Sequence, residues 1–253
     1  LDIPNIGVQY GSQTKILDAW LLAGYAIRAV TNFCQTADPE PTVRHVPYIE
    51  GIDLPDADGR RTYANNNDVA ERLLPAVRRA WADFRNVEGS LPFRHDHYLK
   101  MWQLSDPRTA VDFILFDEAQ DANPVLAAVI EAQTHAQRVY VGDRAQSIYG
   151  FTGAVDAMSS FETEHRAVLS QSFRFGQAIA DRANEFLALL DTPLRLTGNP
   201  AITSTVGELD RPANAVLTRT NATAVGVLLS SLKSGLRPHI VGGGTEVVTF
   251  ARA

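Results

Sequence analysis

The stretch VDFILFDEAQDANPVLAAVIEAQTHAQRVYVGD, residues 111–143, decides the fold class. An apolar run ends in carboxylates, a segment with helical character follows, and a second apolar run ends in Gly-Asp. We predict strands in VDFILF and RVYVGD, with a helix in NPVLAAVIEAQ between them. Strands alternating with helices predict an α/β domain built on a parallel sheet.

Two acidic side chains, Asp117 and Glu118, come directly after the first predicted strand. Ligands of α/β sheets bind past the carboxyl ends of the strands. An aspartate there can hold Mg²⁺, which prefers hard oxygen ligands, and a neighbouring glutamate can orient or deprotonate an attacking water. The alternative is that Asp117 caps the following turn, and the pair alone does not decide between the two.

The loop VGDRAQSIYGFTGA, residues 141–154, follows the second predicted strand. Gln146 offers an uncharged amide that could sense a terminal phosphate. Tyr149 and Phe151 lie on a glycine-flanked loop, where exposed aromatic rings could stack on the bases of a single strand. The alternative is that both rings pack in the core.

A third segment, LSQSFRFGQAIA, residues 169–180, places Arg174 between two phenylalanines just before a predicted helix. An arginine at this position could bind a phosphate through two hydrogen bonds. Phe173 could stack on a purine. The alternative is that Arg174 forms a structural salt bridge.

The three segments resemble, in this order and spacing, motifs II, III and IV of the UvrD/Rep-like superfamily 1A DNA helicases. FILFDEAQD corresponds to motif II, VGDRAQSIYGFTGA to motif III and LSQSFRFG to motif IV, the last looking most like the F-box helicase branch and its bacterial relatives. AVLTRTNATA, residues 215–224, resembles the motif that follows IV. The resemblance covers about residues 93–244 and is weak over 1–92.

The resemblance implies an ATP-driven motor that translocates 3′→5′ on single-stranded DNA, with ATP bound between two RecA-like domains. By similarity, Asp117 would hold Mg²⁺ and Glu118 would activate the hydrolytic water. Gln146 would couple the γ-phosphate of ATP to the DNA site.

The same resemblance assigns four further positions. Arg174 would contact the γ-phosphate, and Phe173 would stack near adenine, where many relatives have tyrosine. Tyr149 and Phe151 would stack on DNA bases. Thr152 stands where the family usually has arginine, which puts one DNA or interdomain contact in doubt.

A phosphate-binding P-loop, the family's motif I, needs Gly-Lys-Ser/Thr, because the backbone amides and the lysine together bind the β- and γ-phosphates. The only lysines are Lys15, Lys100 and Lys233, and none of them follows a glycine. Motif I is therefore missing, and motifs V and VI are not found either. We expect the chain to be the middle of a larger helicase and to lack ATPase activity by itself.

The resemblance also predicts the domain organisation. Residues 1–92 look like the mostly helical accessory region that the family inserts between motifs I and II. Residues 93–166 would be the C-terminal part of the first RecA-like domain, and residues 167–253 the beginning of the second. The predicted fold class is thus α/β, with partial RecA-like parallel sheets.

Local patterns predict the remaining elements. Helices are expected over residues 14–34, over 68–86 with Asn67 or Asp68 as the cap and a start or kink at Pro75, and over 95–103. After residue 164, we expect strands in HRAVLSQSFRF, NAVLTRTN and RPHIVGGG, and helices in GQAIADRANEFLALL and TAVGVLLSSLKSG.

Composition restricts the possible settings and partners. The net charge is −6 and the pI about 5.5, so a DNA path would be a local groove rather than a general basic surface. The single cysteine, Cys34, excludes an internal disulfide framework and favours a reducing, intracellular setting. The expected partners are ATP and single-stranded DNA. The alternative is a non-catalytic, helicase-like module that binds single-stranded DNA or another protein.

Overall fold

The computed structural model describes residues 1–146, 161, 163–190, 192–209 and 212–241. The chain divides into two compact units, Leu1–Ala167 and Val168–Ala253. The described helices and strands of the first unit are β1 (Ile6–Tyr10), β2 (Gln13–Leu17), α1 (Ala19–Phe33), α2 (Ala64–Phe84), α3 (His95–Leu104), β3 (Phe113–Phe116), α4 (Pro124–Glu131) and β4 (Gln137–Tyr140). The described helices of the second unit are α5 (Gln177–Leu189) and α6 (Asn221–Lys233).

The chain begins with an antiparallel hairpin of β1 and β2, in register from Ile6 opposite Leu17 to Tyr10 opposite Gln13. The predicted helix over 14–34 is therefore wrong in its first part. The carboxylate of Asp18 accepts a hydrogen bond from the N–H of Leu21 at 2.8 Å and so caps α1. This cap starts the helix only after β2 has ended.

The core of the first unit lies between α1, α2 and the hairpin. Both helices bury side chains at helical spacing: Leu22, Ala26, Val30 and Phe33 on α1, and Val69, Leu73, Val77, Ala80 and Phe84 on α2. Side chains three and four positions apart share one face of a helix, so each helix presents an apolar stripe to the other.

The helix α2 begins earlier than its sequence predicts. Neither Asn67 nor Asp68 caps it, because Asp53 in the preceding loop accepts hydrogen bonds from the N–H groups of Asn65 and Asn66, at 2.7 and 3.1 Å. Pro75 neither starts nor ends the helix, which continues through it from Ala64 to Phe84. The proline ring lies on the exposed side, away from the apolar stripe.

The sequence prediction for residues 111–143 is confirmed. Strands β3 and β4 pair in parallel, with Phe113 opposite Gln137 and Phe116 opposite Tyr140. The helix α4 connects them, and its first turn is capped by Asn123, whose Oδ1 accepts from the N–H of Leu126 at 2.8 Å. The helix α3, predicted over 95–103, is also present.

The second unit contains the two predicted helices, but the strands expected over residues 165–175 and 214–221 are wrong. Of the strand expected over 237–244, residues 237–241 are not in a strand, and residues 242–244 lie outside the described residues. In these described segments the regular pairing is reduced to one parallel bridge, between Gln171 and Thr197. A strand requires a hydrogen-bonded neighbour, and Leu217 at the centre of the second segment is 99% exposed. Apolar character alone therefore did not make these segments strands.

No helix among the described residues is both long and apolar enough to cross a membrane.

Candidate functional site

Residues 117–121, here called the carboxylate loop, turn sharply away from the end of β3. Glu118 has φ 52° and ψ 38°, in the left-handed region that residues other than glycine seldom adopt. The N–H of Glu118 donates to Oδ1 of Asp117 at 2.9 Å, and the N–H of Ala119 donates to the carbonyl of Val141 at 2.9 Å. These bonds hold the side chains of Asp117 and Glu118 in the solvent at the carboxyl end of the parallel strands.

Gln120 is the buried polar residue of the carboxylate loop, with 1% of its surface exposed. Its Nε2 donates to Oε2 of Glu118 at 2.7 Å and to Oδ2 of Asp121 at 3.3 Å. Its Oε1 accepts from the backbone N–H of Asp143 at 3.0 Å. The Gln120 amide thus joins the loop after β3 to the loop after β4.

Asp143 in turn fixes Gln146. Its carboxylate accepts from the backbone N–H of Ala145 at 2.9 Å and from Nε2 of Gln146 at 2.7 Å. Its carbonyl accepts from the N–H of Gln146 at 2.9 Å. A continuous chain of hydrogen bonds therefore runs from Glu118 through Gln120 and Asp143 to Gln146.

The sequence motifs predict roles for Glu118 and Gln146 but none for Gln120 or Asp143. The signal for Asp143 was available, since an aspartate at the start of a tight turn commonly accepts from backbone N–H groups two or three residues on. Gln120 gave no such signal, because its burial depends on where the loop after β4 lies.

The acidic residues of the loop differ in their surroundings. Oδ1 of Asp121 is buried without a hydrogen-bond partner. Asp117 is exposed, and only its Oδ1 accepts a hydrogen bond from a described residue. The described residues contain no group of three or more histidine, cysteine or acidic side chains placed to hold a metal ion.

The second unit carries Phe173 and Arg174. Phe173 is 77% exposed, and the backbone N–H of Arg174 donates to Oγ of Ser172 at 3.1 Å. The guanidinium of Arg174 is exposed and forms no ion pair with a described residue.

Residues 170–176, the segment around Arg174, are joined to residues 197–204 by four hydrogen bonds. Three link the two backbones, from the N–H of Ser172, Thr197 and Asn199 to the carbonyls of Thr197, Ser170 and Phe175, each at 2.8 Å. The fourth runs from the N–H of Gly176 to Oγ of Ser204, also at 2.8 Å. A Cβ added to Gly198 would overlap the backbone of Gly176 and Gln177, so the two segments pack as closely as glycine allows.

The structure thus brings three predicted site residues, Asp117, Glu118 and Gln146, together in the first unit. Arg174 and Phe173 lie in the second. Tyr149, Phe151 and Thr152 lie outside the described residues.

Comparison with known proteins identifies the family. Residues 63–166 match the model of the UvrD/REP helicase N-terminal domain. The chain is 31% identical over 187 residues to F-box DNA helicase protein 1 of Schizosaccharomyces pombe, covering 71% of this chain and 20% of that protein. It is 32% identical over 158 residues to F-box DNA helicase 1 of Gallus gallus, covering 60% of this chain and 15% of that protein. The chain therefore spans a fifth or less of the length of these relatives.

These matches confirm the resemblance that the three sequence motifs carry. Residues 63–166 of this chain belong to the UvrD/REP helicase N-terminal domain family, and F-box DNA helicases are its homologues.

Proposed function

We propose that this chain is part of an ATP-dependent DNA helicase or translocase that moves 3′→5′ on single-stranded DNA. The observation that carries the proposal is the hydrogen-bonded chain from Glu118 to Gln146 at the carboxyl end of a parallel sheet, within the segment that matches the helicase family. In this proposal residues 93–166 and 167–253 are parts of two RecA-like domains, and residues 1–92 are an accessory region.

The two exposed carboxylates have separate roles. Asp117 would hold Mg²⁺ through Oδ2, which accepts no hydrogen bond from a described residue. A single carboxylate ligand fits Mg²⁺, because this cation commonly binds one or two carboxylates and completes its shell with phosphate oxygens and water. Bound Mg²⁺ neutralises charge on the phosphates of ATP. Glu118, held by the amide of Gln120, would orient the attacking water and accept its proton.

The remaining site residues would contact the other parts of the substrates. Gln146, oriented by Asp143, would hydrogen-bond the terminal phosphate. The guanidinium of Arg174, which forms no ion pair with a described residue, would bind the same phosphate. The exposed ring of Phe173 would stack on adenine. Tyr149 and Phe151 would stack on successive DNA bases.

Hydrolysis by this chain alone is not expected, because none of its three lysines follows a glycine and a Gly-Lys-Ser/Thr loop is absent from the sequence. The charge that develops on the transferred phosphoryl group would lack a principal source of stabilisation. Robust ATPase from the purified chain that disappears in Glu118→Gln would overturn this part of the proposal.

The function itself is tested in a longer polypeptide that joins this chain to a Gly-Lys-Ser/Thr loop. We expect ATP hydrolysis that single-stranded DNA stimulates and that Glu118→Gln reduces at least 100-fold. Glu88→Gln is the control and should leave the rate unchanged, because Glu88 lies on an exposed turn outside the carboxylate loop. Absence of DNA-stimulated hydrolysis in the unsubstituted polypeptide would contradict the proposal.

DNA binding by the chain alone is measured by fluorescence anisotropy with a labelled single strand. We expect Tyr149→Ala with Phe151→Ala to weaken binding by about 1–3 kcal/mol per stacked base. Trp20→Ala is the matched control, because Trp20 is an aromatic residue of the first unit with 86% of its surface exposed. Binding without ATP hydrolysis in the longer polypeptide would favour a non-catalytic DNA-binding module instead.

A further inference from the structure

The position of Gln120 suggests a role that goes beyond filling the interior. We propose that Gln120 is a positioning residue that transmits the state of the Glu118 carboxylate to the side chain of Gln146. The inference rests on the proposed function, in which Glu118 orients the water and Gln146 contacts the terminal phosphate. It assigns the link between these two groups to one buried amide.

The chemistry at Gln120 requires an amide. One end must donate to a carboxylate oxygen, Oε2 of Glu118 at 2.7 Å, while the other must accept from a backbone N–H, that of Asp143 at 3.0 Å. A glutamate could accept at both ends but not donate when ionised, and an aliphatic residue could do neither. Because Gln120 is 1% exposed, bulk water cannot replace either bond.

The second half of the link is rigid. Asp143 holds Gln146 through a backbone hydrogen bond at 2.9 Å and a side-chain hydrogen bond at 2.7 Å. The structure records no hydrogen bond between Glu118 and Gln146 themselves. A displacement of the Glu118 carboxylate therefore reaches Gln146 through Gln120 and Asp143, and buried hydrogen-bond chains of this kind carry coupling between groups that do not touch.

Two features separate a positioning role from simple support of the fold. The loops after β3 and β4 are also joined by the bond from Ala119 N–H to the carbonyl of Val141, so Gln120 is not their only connection. Gln133 provides an internal standard, since it is also 1% exposed and bonds at both ends. Its Oε1 accepts from the N–H of Thr109 at 2.9 Å, and its Nε2 donates to the carbonyls of Pro107 and Val129, away from the carboxylate loop.

The test uses the whole chain, labelled with ¹⁵N, and follows the Asp143 backbone amide and the Gln146 side-chain amide by NMR. Glu118→Ala is introduced into three backgrounds: the unsubstituted chain, Gln120→Met and Gln133→Met. We expect Glu118→Ala to shift both signals in the unsubstituted and Gln133→Met backgrounds, and the shift to fall by at least half in Gln120→Met. A through-space effect of the charge would persist in all three backgrounds.

Equal shifts in Gln120→Met and in the unsubstituted chain would overturn the proposal, as would no shift in the unsubstituted chain. If Gln120→Met does not fold, Gln120→Leu also removes both the donor and the acceptor, and the same loss of response is expected. Because the measurement needs no ATP, its result is independent of the ATPase test. Failure of hydrolysis with the NMR response intact would remove the proposed function and leave the coupling in place.

Discussion

Lys100 and Glu118 are both charged residues of the first unit, and they differ in the number of hydrogen bonds that their charged groups form within the protein. Nζ of Lys100 is fully buried and donates to the carbonyls of Thr36 and Asp38 and to Oε1 of Gln103, at 2.8, 2.5 and 2.7 Å. These four residues form the lysine cluster. Glu118 is exposed and accepts one hydrogen bond, from Gln120.

The difference separates a structural charge from one that is available to a ligand. All three ammonium protons of Lys100 are used internally, so the lysine cluster joins α3 to the loop after α1 and has no capacity left for a substrate. Burial lowers the pKa of Lys100 to about 8, which still leaves it charged at neutral pH. In the carboxylate loop the supporting amide of Gln120 is buried, whereas the carboxylates of Asp117 and Glu118 are exposed.

The largest effect is expected from removing the buried charge. Lys100→Met keeps most of the side-chain volume but leaves two carbonyls and an amide oxygen without a donor in the interior. We expect it to lower the free energy of unfolding by about 2–4 kcal/mol, measured by urea denaturation. Lys15→Met is the matched control, because Lys15 also donates to a backbone carbonyl, that of Gly51 at 2.6 Å, but at the surface. We expect less than about 1 kcal/mol there.

A Lys100→Met variant as stable as the unsubstituted chain would contradict the structural role of the Lys100 charge. It would mean that the cost of removing the ammonium from water equals what its three hydrogen bonds contribute.

In the second unit, the close packing of Gly198 against the backbone near Arg174 is a structural feature that can be compared with the lysine cluster. Gly198→Ala places a Cβ against the backbone of Gly176 and Gln177, where neither neighbour is a flexible side chain. We expect it to lower the stability of the second unit by about 2–3 kcal/mol, followed by hydrogen exchange of α5 amides. Gly226→Ala in α6 has open space around the added carbon, and should stabilise the helix by about 0.5–1 kcal/mol. Equal effects would show that the segment around Arg174 yields to the added carbon.

How far the sequence predicts this structure depends on the range of the interactions involved. The parallel pair β3 and β4 with α4 between them was predictable, because apolar runs, a helix cap and turn residues all lie within 31 residues of chain. The start of α2 was not, since its cap is Asp53, eleven residues before the helix. The strand predictions for the second unit were wrong for the same reason, because a strand needs a hydrogen-bonded neighbour that lies elsewhere in the chain.

The candidate site divides in the same way. Asp117, Glu118 and Gln146 were identifiable from motif resemblance, and their roles stay predictions. The turn around Asp143 was predictable, but its connection to Gln120 was not, because the hydrogen bond between them joins positions 23 residues apart. Burial of Lys100 was equally hidden, since most lysines are exposed.

The histidines near the lysine cluster predict a pH dependence of intermediate size. His45 accepts from the N–H of Thr42 at Nδ1 and donates to Asp38 at Nε2, an arrangement of the neutral ring, and His97 stacks on Phe84. Burial lowers the pKa of both histidines, although Asp38 and Asp96 act in the opposite direction. The folded state thus binds fewer protons than the unfolded chain, whose histidines titrate near an ordinary pKa of about 6.5.

The contribution of these two histidines to stability is therefore complete above about pH 7 and is lost as the pH falls below about 6.5. Between pH 7.5 and 5.5 we expect a decrease of at most about 1.4 kcal/mol per pH unit for each histidine. Denaturation at several pH values should show a shallower slope in the variant His45→Gln with His97→Gln than in the unsubstituted chain. A steep slope that survives the double substitution would assign the effect to other groups.

The smallest effect concerns the backbone of the carboxylate loop. Glycine adopts the left-handed conformation of Glu118 without a steric cost, whereas alanine does not, so Glu118→Gly should be about 1 kcal/mol more stable than Glu118→Ala. Both variants lack the carboxylate, so the difference reports the backbone alone. Asp106, with φ 49° after α3, is the control at which the same pair should differ by a similar amount.

A smaller difference at position 118 than at position 106 would mean that the carboxylate loop relaxes once its side chain is gone. The left-handed turn would then be held by the bond between Glu118 and Gln120 rather than by the bonds from Ala119 to Val141 and from Glu118 N–H to Asp117. Equal differences would show that the backbone sets the turn by itself. Gln120 would then fix only the direction of the carboxylate, in contrast to the lysine cluster, where the buried charge itself joins two segments of the fold.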